Sequence, residues 1–467
     1  GTITITADVS SPTGGTFVNA GLLSKTTTTG TTTLNGPLVN TGTLNVQSGA
    51  ISLAGGHTLT NGTLNIGISN VTSFGSVTFS GAAALTGTLS ANFNAGFLPA
   101  VNDSWQIINY TSPSGVFTQT NLPPIAVWQV TTNATSLTIK VLKLVPQMSW
   151  PAPADIVYGT ALSGSQLDAT ATWNGSAVAG TFTYNPPSGT VLDSGSNQTL
   201  SVSFAPSDPT TYISVTTNVT INVQMAPLSI TASNLSKTYG QNFSFAGTEF
   251  TTSGLTNGDT VTSASLASAG AISNAPVSGS PYAITITNAL GDAGLTNYSI
   301  TYTNGLLTVG KAMLTITAAS TNKIAGETWT FAGTEFTASG LQNGETIGTV
   351  TLTSAGAASS ASPGPYSIVP SAPVGGTFSQ GNYTNQFVDG TLTVLGTPDL
   401  TLTLLGDQYV LTFPSVSGQI YQLQSTTNLA LAGWSSLGGP ISGTGGIVNV
   451  TNTIASPQSF FELQITP

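Results

Sequence analysis

Polar and apolar residues alternate one by one along much of the chain. The segment Thr2-Ile3-Thr4-Ile5-Thr6-Ala7-Asp8-Val9 does so without error, and the cadence returns in Thr43-Leu44-Asn45-Val46, Leu137 to Val141, Leu200-Ser201-Val202-Ser203-Phe204 and Tyr409-Val410-Leu411-Thr412-Phe413. A period of two places alternate side chains on opposite faces of an extended backbone, so each run predicts a β-strand with one buried face. The chain is therefore expected to be all-β.

Superimposed on the alternation is a longer period. Phe17-Val18-Asn19, Leu38-Val39-Asn40 and Leu59-Thr60-Asn61 lie 21 residues apart, each followed within two residues by a glycine: Gly21, Gly42 and Gly62. Leu23, Leu44 and Leu64 continue the register. A period near 20 with glycine corners predicts a parallel β-solenoid whose coils stack about 4.8 Å apart, five coils making a prism about 24 Å long. Asn19, Asn40 and Asn61 are expected to stack as an amide ladder. From about residue 100 the pattern changes to Trp105 to Ile108, Val127 to Val130 and Leu137 to Val141, read as antiparallel strands that close the solenoid. An uncapped last coil would leave free hydrogen-bonding groups.

The rest reads as β-sandwich units: 144–225, 226–311, 312–396 and 397–467, after a solenoid at 1–143. Turn signals at Asn174-Gly175 and Pro186 to Gly189 punctuate the first of these. The next two are a tandem duplication. Phe245-Ala246-Gly247-Thr248-Glu249-Phe250 and a Ser-Gly-Leu-x-Asn-Gly turn at 253–258 return 86 residues later at 331–336 and 339–344. Lys237 matches Lys323, Phe243 matches Trp329, and Pro281-Tyr282 matches Pro365-Tyr366. Gly310-Lys311-Ala312 leaves almost no linker, which predicts a linear array with restricted bending. In the last unit Trp434 is the expected core aromatic.

These residues carry resemblances. Asn40-Thr41-Gly42-Thr43-Leu44-Asn45-Val46 and Asn61-Gly62-Thr63-Leu64-Asn65-Ile66-Gly67 resemble the passenger repeats of autotransporters and related bacterial surface proteins, which implies a surface scaffold and no particular chemistry. Gly180 to Tyr184 and Phe204 to Asp208 resemble bacterial immunoglobulin-like repeats, with Asp208 and Tyr212 reminiscent of a tyrosine corner. Leu228 to Ala232, Lys237-Thr238-Tyr239-Gly240 and Asn297 to Tyr302 resemble the MBG family, mostly-β repeats of bacterial surface adhesins. The second copy departs where Tyr239-Gly240 is read as becoming Ile324-Ala325. Tyr421 to Leu429 resembles a small sandwich at the ends of large secreted bacterial proteins, which implies a sorting or anchoring tail.

Composition narrows the function. Charged residues are 5% of the chain against about 25% in ordinary soluble domains, so Thr, Ser, Asn and Gly must form the surface. With six lysines, no arginine and a net charge of -10, no basic patch exists to displace counterions from nucleic acid or to hold an anionic membrane. Cysteine is absent, which removes disulfides and thiolate chemistry. No run approaches a membrane-spanning length, so membrane insertion is not expected. The chain begins at Gly1, from which a mature product exported through a signal outside this sequence is expected.

Catalytic constellations are missing. The one histidine, His57, stands beside Gly55 and Gly56 and is read as a solvent-facing turn residue. No Gly-x-Ser-x-Gly or phosphate-loop string occurs, and Asp8 is the one acid in the solenoid through residue 100, where glycoside hydrolysis would need two. No metal and no cofactor is expected. One autocatalytic possibility is an isopeptide crosslink formed by a buried lysine, an asparagine and an acid, with Lys237 and Glu249, and Lys323 and Glu335, as the recurring lysine and acid, and an ion pair or unrelated exposed charges as the simpler alternatives. The expectation is a non-enzymatic extracellular or cell-surface structural protein. In one form it is a fibre subunit that self-associates through strand addition by Ile3, Ile5, Ala7 and Val9. In the other it is a monomeric stalked adhesin binding a surface glycan or protein. The alternative for the terminal strand is the first rung of its own solenoid.

Overall fold

A computed structural model describes residues 1–59, 61–292, 295–430, 433–456 and 458–466. It is all-β, and among the described residues the helical content is limited to five short 3-10 turns. The chain divides into two compact units: Gly1–Pro227 with Leu255–Asp259 and Ala293–Ser299, and Leu228–Gly254, Thr260–Asp292 and Ile300–Pro467.

The first unit opens with the solenoid. Three parallel sheets each gain one strand per coil, and the register stacks like on like. Ile3, Leu23, Leu44, Leu64 and Leu89 form one column, and the four leucines are buried. The intervals between those leucines are 21, 20 and 25 residues, the longest accommodating the loop around Asn70. Thr32, Ile51, Val77 and Ile108 form the matching column of the second sheet. Each coil leaves its apolar side chains unsatisfied until the next covers them, so burial is continuous along the stack. Ser136–Leu144 runs antiparallel to Ser104–Asn109 and pairs with Ala126–Thr132, ending the second sheet. Trp105 itself lies in a strand whose Ile108 pairs parallel with Val77, so the closing hairpin begins later than the pattern change suggested.

Several expectations shift here. The segment expected to add to another subunit is engaged within its own chain: Thr2–Ile5 pairs parallel with Leu22–Lys25, and Val9 O accepts from Thr33 N. Ile5 packs against the core, while Ile3, Ala7 and Val9 are exposed. A period that matches the following coils makes the segment's best partner the adjacent rung. The asparagine ladder is half formed. Asn19 Nδ2 donates to Asn40 Oδ1 at 2.5 Å, but Asn61 adopts φ 56° at an exposed corner. Thr60, between Leu59 and Asn61 in that repeat, lies outside the described residues. A second, unanticipated network runs on the outer face of the first sheet: Asn45 Nδ2 donates to Ser24 Oγ, Asn65 Nδ2 to Asn45 Oδ1, and Asn92 is bonded to Asn65 and Gln47.

His57 is also corrected. Leu38 pairs with His57 in register, below Phe17, so the imidazole occupies a core column. It is 9% exposed, Nδ1 accepts from the Leu38 N–H at 2.9 Å, and burial lowers its pKa. The flanking glycines had suggested a turn, but the coil period carries the residue inward.

Between solenoid and repeats lies a sandwich of two sheets, Gln147–Ser149 with Thr170–Trp173 and Ser176–Ala177, and Ile156–Val157 with Val215–Gln224, Gly195–Pro206 and Gly180–Asn185. Its core includes Leu200, Val202, Phe204 and Ile221. The Asp208 and Tyr212 pair is a turn in which Tyr212 N–H donates to Asp208 O, and the Tyr212 ring packs against the solenoid core.

The second unit contains most of the first repeat, all of the second, and a terminal sandwich. Each repeat has a three-stranded and a four-stranded sheet in the same order; in the second these are Phe336–Ser339, Ala312–Ala318 and Tyr383–Val388, and Thr321–Ile324, Gly390–Leu395, Gly364–Gly376 and Ile347–Thr353. In the terminal sandwich Tyr409, Leu411, Phe413, Tyr421 and Leu423 make the core. Trp434 is only half-buried and stands outside that core, because the alternating strand positions already fill it.

Replacing Leu44 by Ala should destabilise the solenoid by about 2–5 kcal/mol through the cavity left in its column. Val18→Ala, at a side chain 63% exposed, should change stability by no more than about 0.5 kcal/mol. Urea unfolding measures both.

Candidate functional site

The two repeated lysines do not meet the two repeated glutamates. Lys237 is 7% exposed and its Nζ donates to the carbonyls of Gln241, at 2.8 Å, and Ile272. Lys323, 2% exposed, donates to the carbonyls of Glu327 at 2.6 Å and Ala358 at 2.5 Å. Each ammonium thus stitches its own turn to a neighbouring loop, and burial lowers the Lys237 pKa. Glu249 accepts backbone N–H bonds from Ala246, Gly247 and Thr248, and Glu335 does the same with Ala332, Gly333 and Thr334. Burial pushes both carboxyls up, but these N–H donors outweigh it and hold them below the usual carboxylate range. The repeated Phe-Ala-Gly-Thr-Glu-Phe string is a self-capped turn. Neither the expected ion pair nor the isopeptide geometry is present, because every acceptor each lysine uses is a backbone carbonyl.

The ion pair found among the described residues is elsewhere. Lys25 is 0% exposed in the column of Ile5, Val46 and Ile66, and its Nζ lies 2.5 Å from Asp8 Oδ1. The Lys25 ammonium and Thr28 hydroxyl lower the Asp8 pKa. A buried ammonium is tolerated there because its charge is paired where the coil opens.

The most specific polar constellation was not anticipated, and it occurs twice. In the first unit, Tyr158 Oη donates to Asp259 Oδ2 at 2.8 Å and Tyr298 Oη donates to the same oxygen at 2.9 Å. Tyr298 Oη also accepts from the Thr256 N–H, and the two rings stand edge to face at 5.4 Å and 82°. In the second unit, Tyr239 Oη donates to Glu345 Oε1 at 2.6 Å and Tyr383 Oη to Oε2 at 2.5 Å. Tyr383 Oη accepts from the Gln342 N–H, with the rings at 5.6 Å and 81°. Each cluster is a carboxylate gripped by two phenols, one from the preceding sandwich and one from its own. All four tyrosines are buried.

The local sequence explains the placement. Tyr158-Gly159 and Tyr239-Gly240 end short strands, and both glycines take φ near +90°, at 92° and 91°. A Cβ on Gly159 would lie 2.5 Å from the Thr256 side chain, and one on Gly240 would lie 2.2 Å from Gln342. Glycine is required by the turn and again by the approach of the next loop. That loop is the Ser-Gly-Leu-x-Asn-Gly turn, which delivers Asp259 or Glu345 just after it.

One further equivalent bond flanks each cluster. Ser194 N–H donates to Asn297 Oδ1 at 2.7 Å, and Val277 N–H donates to Asn382 Oδ1 at 2.9 Å. Burial, then the Glu345 carboxylate, raise the Tyr239 and Tyr383 pKa values above the ordinary phenol range. For Tyr158 the Asn257 amide pulls down, but burial and Asp259 outweigh it.

Strand register corrects one sequence reading. Lys237 pairs with Val309 and Lys323 with Val394, while Tyr239 N–H donates to Gly310 O and Ala325 N–H to Leu395 O. Tyr239 is therefore matched by Ala325, and Gly240 by Gly326 at φ 90°. The second repeat keeps the glycine and loses the tyrosine.

The comparisons with known proteins follow this geometry. Residues 228–308 and 314–393 match the family described as MBG domain (YGX type). The chain carries two MBG repeats. Tyr239-Gly240-Gln241 stands in the first MBG repeat where the second has Ala325-Gly326-Glu327. No curated protein sequence matches the chain significantly. Among solved structures, the Bacillus anthracis TIE protein is similar at 9% identity and a TM-score of 0.17, covering 69% of both chains. Surface layer protein SbsC, domains 4-9, is similar at 10% identity and a TM-score of 0.15, covering 72% of this chain and 70% of that one.

Two outcomes follow. Intact mass should equal the sequence sum, since an isopeptide bond between lysine and asparagine would lower it by one ammonia per bond. The phenols raised in the folded state contribute stability that is present below about pH 10 and lost as pH rises through their folded values. Phenolate absorbance against pH should show late-titrating tyrosines, and Tyr383→Phe should remove the latest of them.

Proposed function

We propose that this chain is a non-enzymatic extracellular structural protein, in which sandwich units clasped in series carry a β-solenoid. The observation that carries this reading is the repeated tyrosine–carboxylate clasp, because it commits the most specifically placed acids and phenols to joining units. The remaining polar residues support it. A cleft of about 570 Å³ beside the terminal sandwich is lined by Leu402, Leu404, Tyr409, Thr427, Asn452, Phe461 and neighbours with no charged side chain among them. Among the described residues no group of three His, Cys, Asp or Glu is gathered, and no helix is long and apolar enough to cross a membrane. MBG repeats fit an extracellular structural or adhesin role.

A fibre subunit is the second reading. Among the described residues the strand Thr2–Ile5 is paired on one edge alone, and Ile3 and Val9 are exposed beside it. Pairing of that edge with another copy, without leaving its own rung, is the assembly this favours.

Surface labelling of intact source cells tests location: antibody and added protease should reach the protein, and full protection would overturn an extracellular role. Sedimentation of the purified chain separates the two forms. One size at all concentrations supports a clasped scaffold, and growth into filaments that disappears on deleting residues 1–9 supports the fibre.

A further inference from the structure

We infer that the two clasps are two instances of one pairing code between consecutive sandwiches, and that the code also states where the series stops. The donor half is a Tyr-Gly corner together with a loop N–H: Tyr158-Gly159 with Ser194, and Tyr239-Gly240 with Val277. The acceptor half is an acid at the end of the Leu-x-Asn-Gly turn together with an Asn-Tyr pair: Asp259 with Asn297-Tyr298, and Glu345 with Asn382-Tyr383. Two contacts, tyrosine to acid and loop N–H to asparagine, thus recur at equivalent positions in two junctions whose acids, loop residues and neighbours differ. The partner that a donor half fits is a following unit with an acceptor half.

The units are not equivalent in what they carry. The sandwich before the repeats has a donor half, but its Tyr212 packs against the solenoid core and Asp208 is engaged by Thr210 and Thr211, which leaves no acceptor half. The first repeat has both halves. The second repeat has the acceptor half and lacks both parts of the donor half. Ala325 stands where Tyr239 would be, and the loop from Pro276 to Ser280 is shortened to Ser362-Pro363-Gly364, where Pro363 has no N–H to give. A Cβ on Gly326 would meet nothing within 4 Å, whereas those on Gly159 and Gly240 would strike the next loop. The series therefore reads donor, donor and acceptor, acceptor: it has a direction and an end. The terminal sandwich follows without this clasp, through Gly396-Thr397-Pro398.

A bare structural account predicts otherwise, since a buried tyrosine that merely fills space is replaced by phenylalanine at little cost. Hydrogen exchange on the full chain decides. Tyr239→Phe keeps the ring and removes the bond to Glu345. It should speed exchange of the peptide containing Val277 by roughly tenfold or more, the size expected of one hydrogen bond to a charged acceptor, while strand Gly305–Gly310 stays protected. Glu345→Gln should do the same, and the double variant should add little to either single one. Ala325→Tyr should leave exchange in 397–466 unchanged, because no acceptor follows it. Unchanged exchange at Val277 in Tyr239→Phe, additive effects in the double variant, or protection of 397–466 by Ala325→Tyr would each overturn the code. This inference deepens the structural reading above but is independent of location, so failure of surface labelling would leave it standing.

Discussion

A half-buried carboxylate needs hydrogen-bond donors, and in this protein they come from two neighbouring sandwiches at once. Asp259 and Glu345 each accept one phenol from the sandwich before and one from their own. Hydrogen bonds to an ionised acceptor are about twice as strong as neutral ones, and removing one phenol leaves the acid partly unpaired. The junction is therefore held by a polar contact that is costly to break and geometrically demanding. In a chain with 5% charged residues such contacts are scarce, and their recurrence at two junctions is correspondingly informative.

The same economy of charge appears elsewhere. Lys25 fills a core position of the solenoid with its ammonium on Asp8, Lys237 and Lys323 tie loops by their carbonyls, and Glu249 and Glu335 cap their own turns. Asp208, pulled down to about 2 by Thr210 and Thr211, caps another turn. Charged groups here act as joints. The solenoid in turn relies on columns of like residues, apolar inside and amide-bonded outside, where Asn45, Asn65 and Asn92 satisfy one another along the stack.

Much of the fold was legible. Strand alternation, the coil period and the duplication rest on local repetition, which survives in the sequence because each coil or repeat meets the same environment. His57 shows the limit of that logic: Gly55 and Gly56 suggested a turn, yet the period that placed Leu38 inside placed His57 there too. Trp434 fails for the opposite reason, since a large aromatic stood out in composition while alternation in Tyr409 to Phe413 had already filled the core.

What the sequence determined by itself was the class of structure, the coil period and the duplication, because periodicity is a property of neighbouring residues. Only the tertiary structure decided which residues clasp neighbouring sandwiches. Tyr239 and Glu345 stand 106 residues apart and Tyr158 and Asp259 stand 101 apart, so no local pattern links a donor to its acceptor. Even the register of the second repeat, where Ala325 rather than Ile324 replaces the tyrosine, required the strand pairing of Lys237 and Lys323 to fix it. A contact between distant segments is written in the sequence at both ends, but only the fold shows which ends belong together.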